Sequence, residues 1–201
     1  MRSYLLIAAC GAVAAAATSS SAAIVWANTV EAFSQGLQDN NTPVDANRSN
    51  PNNALGAAQN NNTINFVSLG VAGSLTLSFG ELFKDEVTVF ETTFPPINQH
   101  IEKAAVYVGF GATAATATYW LAGNVINSAD GAPISLAAAE IASGRTTFKY
   151  VKIVDTTEYA TSTSTDGFDV DAVSVRSVPA PGAVALASVG GLLVARRRRN
   201  G

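Results

Sequence analysis

The chain has 201 residues and a formal net charge of −3, with 13 % charged and 48 % hydrophobic residues. That hydrophobic share excludes an intrinsically disordered chain. The acidic balance excludes the basic surface that a nucleic-acid backbone requires, so no nucleic-acid partner is expected.

Residues 1–23 read as a secretory signal peptide: Arg2 gives a minimal positive start, Leu5 to Ala17 an apolar stretch, and Ser21-Ala22-Ala23 the small residues that signal peptidase reads. The single cysteine, Cys10, lies inside this segment. The processed chain then has no thiol and no disulfide.

Residues 24–177 are expected to form one extracellular domain. Ile24 to Phe33 offers a first strand, and Gln35 to Asn62, rich in Asn, Asp, Gln and Gly, reads as polar loop. Leu75, Leu77 and Phe79 alternate with Ser74, Thr76 and Ser78, the period-two pattern of a half-buried strand. Val87 to Glu91 predicts another strand, and Pro95-Pro96 then breaks the chain. Strands are predicted over Ala104–Phe110, within the Thr-rich Thr113–Leu121, over Phe148–Asp155 and over Asp166–Val175. One short helix is predicted over Ile134–Ile141, with Ser135 as N-cap and Gly144 past its end. Several short strands with few helices predict an all-β fold, an antiparallel, jelly-roll-like β-sandwich.

Within the domain, Asp166, Asp169 and Asp171 form the sharpest constellation. Residues two apart on a strand share a face, and convergent carboxylates suit a hard cation such as Ca²⁺. Glu91 and Asp155, each at a predicted strand end, are the candidates to complete its shell. The competing reading is of solvated acids at strand ends. Val173 and Val175 share parity with Asp169 and Asp171, so either a bulge intervenes or the acidic end lies beyond the core. His100, the one histidine, reads as a solvated loop residue. Trp26, Trp120, Tyr107, Tyr119 and Tyr159 are candidates for a sugar-stacking surface. No nucleophile elbow, P-loop or dinucleotide fingerprint is present, and no catalytic residue is assigned.

Residues 178–201 close the chain with Val178-Pro179-Ala180-Pro181, an uncharged apolar run from Gly182 to Ala195, and Arg196, Arg197, Arg198 and Arg199. The prolines end the domain. The run is short against the ~20 residues of a stable span, so a transient membrane helix is expected, with the arginines held on the cytoplasmic side.

These three parts, in this order, resemble the PEP-CTERM sorting signal of bacterial surface proteins, with Ala180 where the most typical motif has Glu. The resemblance implies that an exosortase, a membrane-embedded transpeptidase, processes the tail, and that the chain is exported to the cell surface or the extracellular space. The middle resembles a domain found in secreted bacterial surface proteins. The resemblance is carried by Asn53-Ala54-Leu55-Gly56, Phe66 to Gly70, Gly73 to Gly80, Val87 to Glu91, Tyr150 to Asp155 and Asp166 to Val173. It implies a non-enzymatic sandwich similar to a carbohydrate-binding module. The first expectation is therefore a structural or adhesive surface protein linked to exopolysaccharide or biofilm. The alternative is a carbohydrate-binding module with structural calcium and extracellular polysaccharide as partner, and a glycoside hydrolase ranks third.

Overall fold

The computed structural model describes residues 22–60, 63–96 and 98–178, and a single compact unit spans Ala22–Val178. The expected signal segment up to Ser21 lies outside the described residues, as do Pro179, Ala180, Pro181, the apolar run and the arginine block. Among the described residues no helix is long and apolar enough to cross a membrane.

Nine antiparallel strands and one α-helix make the unit: β1 (Ile24–Trp26), β2 (Thr29–Ser34), β3 (Val67–Ser68), β4 (Ser74–Glu91), β5 (Lys103–Phe110), β6 (Thr118–Ile126), β7 (Ala132–Ser135), α1 (Ala137–Ser143), β8 (Phe148–Asp155) and β9 (Asp169–Ser177). Three short 3₁₀ turns fill the loops. The 18 residues of β4 serve two sheets. Its first half, Ser74–Ser78, lies between β2 and β8, and β8 continues to β5 and β6. Its second half pairs with β9 and β7, while β9 also carries β1 and β3. The register slips between Ser78 and Phe83 and again between Lys84 and Val87. Gly80 (φ 76°) and Asp85 (φ 65°) take left-handed backbone there. A strand that bends at bulges can pass from one layer of a sandwich to the other.

The strands predicted around Leu75–Phe79 and Val87–Glu91 are thus one strand with a corner near Lys84-Asp85-Glu86. The first strand does the opposite. Expected as one piece over Ile24–Phe33, it splits at Ala27-Asn28, where Ala27 N donates to Val173 O in one sheet and Asn28 N to Ser78 O in the other.

Between the layers Leu75, Leu77, Phe79, Phe83, Val87 and Val89 of β4 meet Val106 and Val108, Val151 and Ile153, and Val170, Val173 and Val175. Phe83 stands 5.3 Å from Phe79 and 6.3 Å from Phe148, centroid to centroid. Each such ring or branched side chain withdrawn from water contributes about 1.5–3 kcal/mol.

Ile134, expected in the helix, lies in β7, and α1 follows from Ala137 with Leu136 at its N-cap. Ser135 Oγ reaches only Ala137 N, at 3.4 Å. Gly144 closes the helix in the left-handed region, as its position predicts.

Candidate metal centre

Four carboxyl groups from four places in the sequence meet at one end of the sandwich: Glu91 at the end of β4, Glu102 just before β5, Asp166 in the loop before β9, and Asp169 at its start. All four are 0–3 % exposed. Glu102, Asp166 and Asp169 each offer an oxygen within 4.8 Å of the others. Two ligands of one Ca²⁺, each about 2.4 Å from it, lie no farther apart than that, so the three can touch a single ion.

The loops hold them through many short bonds. Ser68 Oγ, on β3, lies 2.5 Å from Asp169 Oδ1 and 3.2 Å from Asp166 Oδ2. A hydroxyl has one proton and can serve only one of them at a time. Glu102 accepts from Ser164 Oγ at 2.8 Å and from the Asp169 amide at 3.3 Å, and His100 Nε2 stands 3.0 Å from its Oε1. Glu91 accepts from Thr93 Oγ1 and from the Ser128 amide. Arg48 Nη1 reaches Asp166 Oδ2 at 2.7 Å, and its guanidinium lies over the rings of Phe66 and Phe94 at 5.3 and 5.1 Å.

The charges do not balance. Burial lowers the pKa of His100, so it is neutral near pH 7, and among the described residues Arg48 is the cation that faces the four acids. Burial first, then the neighbouring Glu91, raises Glu102 well above the ordinary carboxylate range. Burial and the nearby Glu102 do the same to Asp169, and burial raises Glu91. Asp169 Oδ2 is buried without a hydrogen-bond partner, and the Glu91 and Glu102 carboxyl groups lie within hydrogen-bonding reach of each other, a contact that needs a proton on one of them. Buried carboxylate oxygens without partners are costly. Protons on one or more acids relieve the repulsion, and so does a divalent cation. The donor set is all oxygen with no thiolate, which fits Ca²⁺ or Mg²⁺ better than zinc. Glu102, Asp166 and Asp169 are the residues that would hold the ion, and Glu91 stands behind Glu102.

Five residues were expected here from the sequence, and the structure brings Asp166 and Asp169 together with Glu91 beside them. Asp171 stands apart. In register, Phe90 faces Ala172 and Glu91 faces Val170, so Asp171 is the extra residue of a bulge. The bulge resets the parity, and Val170, Val173 and Val175 all enter the core. Asp171 Oδ2 accepts from Gln59 N at 2.8 Å.

Asp155 is saturated by donors instead. Its carboxylate takes Phe168 N at 3.0 Å, Thr157 Oγ1 at 2.7 Å, Tyr159 OH at 3.0 Å and Ala72 N at 3.2 Å. It ties the loop before β9 to the start of β4 and leaves little lone-pair capacity for a metal.

Glu102 and Arg48 escaped the sequence reading. Arg48 sits in a polar loop that reads as solvated, and Glu102 is 64 positions from Asp166 with no motif linking them. The available signal was Glu102 two residues after His100 and directly before a clear strand.

The five aromatic residues expected as one surface are dispersed. Trp120 packs on Phe148 at 6.2 Å, Tyr159 bonds Asp155, and Tyr119 donates to Ala114 O at 3.0 Å. Tyr107 lies between Leu121 and Lys152 in the register of β5, and Trp26 pairs with Phe90 at 5.5 Å on the other sheet.

No protein-family model matches this chain, and no curated protein matches its sequence. Solved structures resemble it in outline. The CBM32 module of AlyQ, in complex with 4,5-unsaturated mannuronic acid, superposes with a TM-score of 0.45 at 16 % identity, over 78 % of this chain and 95 % of that one. Reduced XRCC1 bound to the DNA pol beta catalytic domain gives 0.48 at 18 %, over 78 % and 100 %. CBM32-3 from a family 31 glycoside hydrolase of Clostridium perfringens gives 0.40 at 8 %, over 76 % and 90 %. At these identities no ligand, partner or residue role carries over to this chain.

Proposed function

We propose that the chain is an exported, non-catalytic polysaccharide-binding module on a jelly-roll-like sandwich, its loops braced by a calcium ion at Glu102, Asp166 and Asp169. The observation that carries the non-catalytic part is the sealing of the carboxylate cluster. Glycoside hydrolysis needs two carboxyl groups flanking a bond that the substrate can reach. The convergent acids here are 0–3 % exposed behind Arg48, Phe66 and Phe94, where a cation fits and a sugar chain does not. The resemblance of the middle to secreted surface domains supports the polysaccharide reading.

Export and sorting rest on the two ends of the sequence. The tail places the protein transiently at the membrane, exosortase removes it near Val178-Pro179-Ala180-Pro181, and the mature module acts at the cell surface or outside the cell. The same tail favours a second reading, a structural or adhesive matrix protein with no saturable ligand. Co-sedimentation of the purified protein with polysaccharides separates the two. Saturable binding supports the module, and uniform absence of binding leaves the adhesive reading. Intact mass of the protein from its own cells tests the sorting. Loss of Arg196–Arg199 is expected, and a soluble mature product that retains them overturns it.

A further inference from the structure

The outer face of the sheet formed by β2, the first half of β4, β8, β5 and β6 carries a feature separate from the cation site. Register lines up Ala32, Thr76, Lys152, Tyr107 and Leu121 in one row across the five strands. The next row is Ser34, Ser74, Val154, Ala105 and Asn124. In β4, β8 and β5 both rows alternate with core residues such as Leu75, Ile153 and Val106, so they face away from the core. At about 4.8 Å between strands each row runs for about 19 Å. Solvent reaches this face: Tyr107, Lys152 and Val154 are only half-buried, Ser34 and Asn124 are exposed, and Leu121 is 47 % exposed. The second row is made of short side chains, and Lys152 and Tyr107 rise beside it.

On the other side of Lys152 the register sets Tyr150, Gly109 and Tyr119 next to one another. A Cβ on Gly109 would stand 2.5 Å from Tyr119 Cε1, so the bare glycine lets that ring lie across β5. Its hydroxyl donates to Ala114 O at 3.0 Å, and Lys152 Nζ stands 5.9 Å from its centroid. Two of the five aromatic residues expected as a sugar surface, Tyr107 and Tyr119, thus flank one lysine.

Lys152 is the open charge of this face. Among the described residues Arg48, Lys84, Lys103 and Arg176 each pair with a carboxylate, whereas the neighbour of the Lys152 ammonium is the Tyr119 ring. The nearby acids are engaged elsewhere. Glu31, on β2, accepts from Ser78 Oγ at 2.7 Å, and Glu158 holds Lys103 at 2.8 Å.

We propose that this face is a binding shelf for an acidic polysaccharide, one whose sugar units carry carboxylates. The proposal rests on the polysaccharide reading above and gives it a place and a ligand class. The Lys152 ammonium supplies charge-assisted hydrogen bonds to a sugar carboxylate. Tyr107 and Tyr119 offer aromatic surface to the apolar faces of sugar rings, and the row of short side chains leaves room for the chain to lie across the strands.

The test is affinity electrophoresis of the purified protein in native gels cast with alginate, polygalacturonate or hyaluronan, with mannan and dextran as neutral polymers and polyglutamate as an anion without sugar rings. Retardation by at least one of the acidic polysaccharides is expected, weakening with added salt. Lys152→Met keeps the apolar stem, removes the charge and should weaken binding about tenfold. Lys152→Glu should abolish it, and Tyr107→Ala should weaken it about fivefold. Arg176→Met, on the other sheet, should bind normally. Melting temperatures of the Lys152 variants should match the unmodified protein, since the side chain forms no ion pair. Acidic-polysaccharide binding that survives both Lys152→Glu and Tyr107→Ala overturns the shelf and leaves the polysaccharide reading standing. Retardation by neutral polymers alone, or equally by polyglutamate, overturns the ligand class. Retardation by none of the polymers overturns shelf and polysaccharide reading together.

Discussion

The amide of Asp169 donates to Glu102 Oε2 at 3.3 Å, while an oxygen of the Asp169 carboxylate lies within 4.8 Å of an oxygen of Glu102. One residue thus both satisfies and repels the other. If the proposed calcium ion binds there, that double relation ties the stability of this end of the sandwich to both cations and protons.

Calcium should stabilise the protein. At a free concentration a hundred times Kd the linkage amounts to about 2.7 kcal/mol, raising the melting temperature of a domain this size by about 5–10 °C. Differential scanning calorimetry with millimolar Ca²⁺ and then with chelator measures it. Identical melting curves would remove the cation from the proposal.

Glu102→Gln and Asp169→Asn separate metal binding from folding. Each replaces a repelling acid with a neutral isostere, so the metal-free protein should be unchanged or more stable by about 1 kcal/mol. Each should also lose most of the calcium response. A variant that loses stability equally with and without calcium would mark a purely structural carboxylate.

The metal-free protein should prefer mild acid. The pKa values of Glu91, Glu102 and Asp169 are raised in the folded state, so the native protein binds more protons than the unfolded chain between the ordinary carboxylate range and those raised values. In that window stability falls as pH rises. His100, shifted downward, works against this in the weakly acid range, but it is one group against these three and Asp171, whose carboxyl burial also raises. Urea midpoints in chelator should therefore be higher near pH 5 than near pH 8. Calcium should reverse the order, because the ion needs ionised ligands.

Arg48→Gln should cost about 1–3 kcal/mol, through loss of the bond to Asp166 and of the cover over Phe66 and Phe94. Arg48→Lys should recover little of it, since an ammonium lacks the planar fork that bonds and stacks at once. Denaturant midpoints of the two variants decide this, and full recovery by lysine would show that charge alone matters.

Two glycines should respond very differently to alanine. A Cβ at Gly73 would meet Leu69 O at 1.7 Å, whereas Gly144, at φ 67°, has open space around its Cβ position. Gly144→Ala should cost about 1 kcal/mol. Gly73→Ala should disrupt the start of β4 or prevent folding, which thermal melts and expression yield will distinguish.

Much of the architecture was legible from residue order alone. Period two over Phe148–Asp155 and at Leu75, Leu77 and Phe79 reports one buried face per strand, a local property. The conflict between Asp171 and Val173 left two possibilities, a bulge or an acidic end beyond the core, and the register has the bulge. The readings of the two end segments rest on consecutive residues alone and lie outside the described residues. Which sheet a strand joins is another matter. Ile24–Phe33 and Ser74–Glu91 look like one strand and two, and become two and one, because pairing partners far along the chain decide where the backbone bends. The cation cluster, too, exists only in the folded protein. Asp166, Asp169 and Glu91 stand out as candidates in the sequence, but Arg48 and Glu102, which complete the cluster, are each ordinary in their own loop and strand end. Their charge becomes consequential only when packing removes water and brings them together, and low-dielectric burial is a property of neighbours in space that no short stretch of sequence encodes.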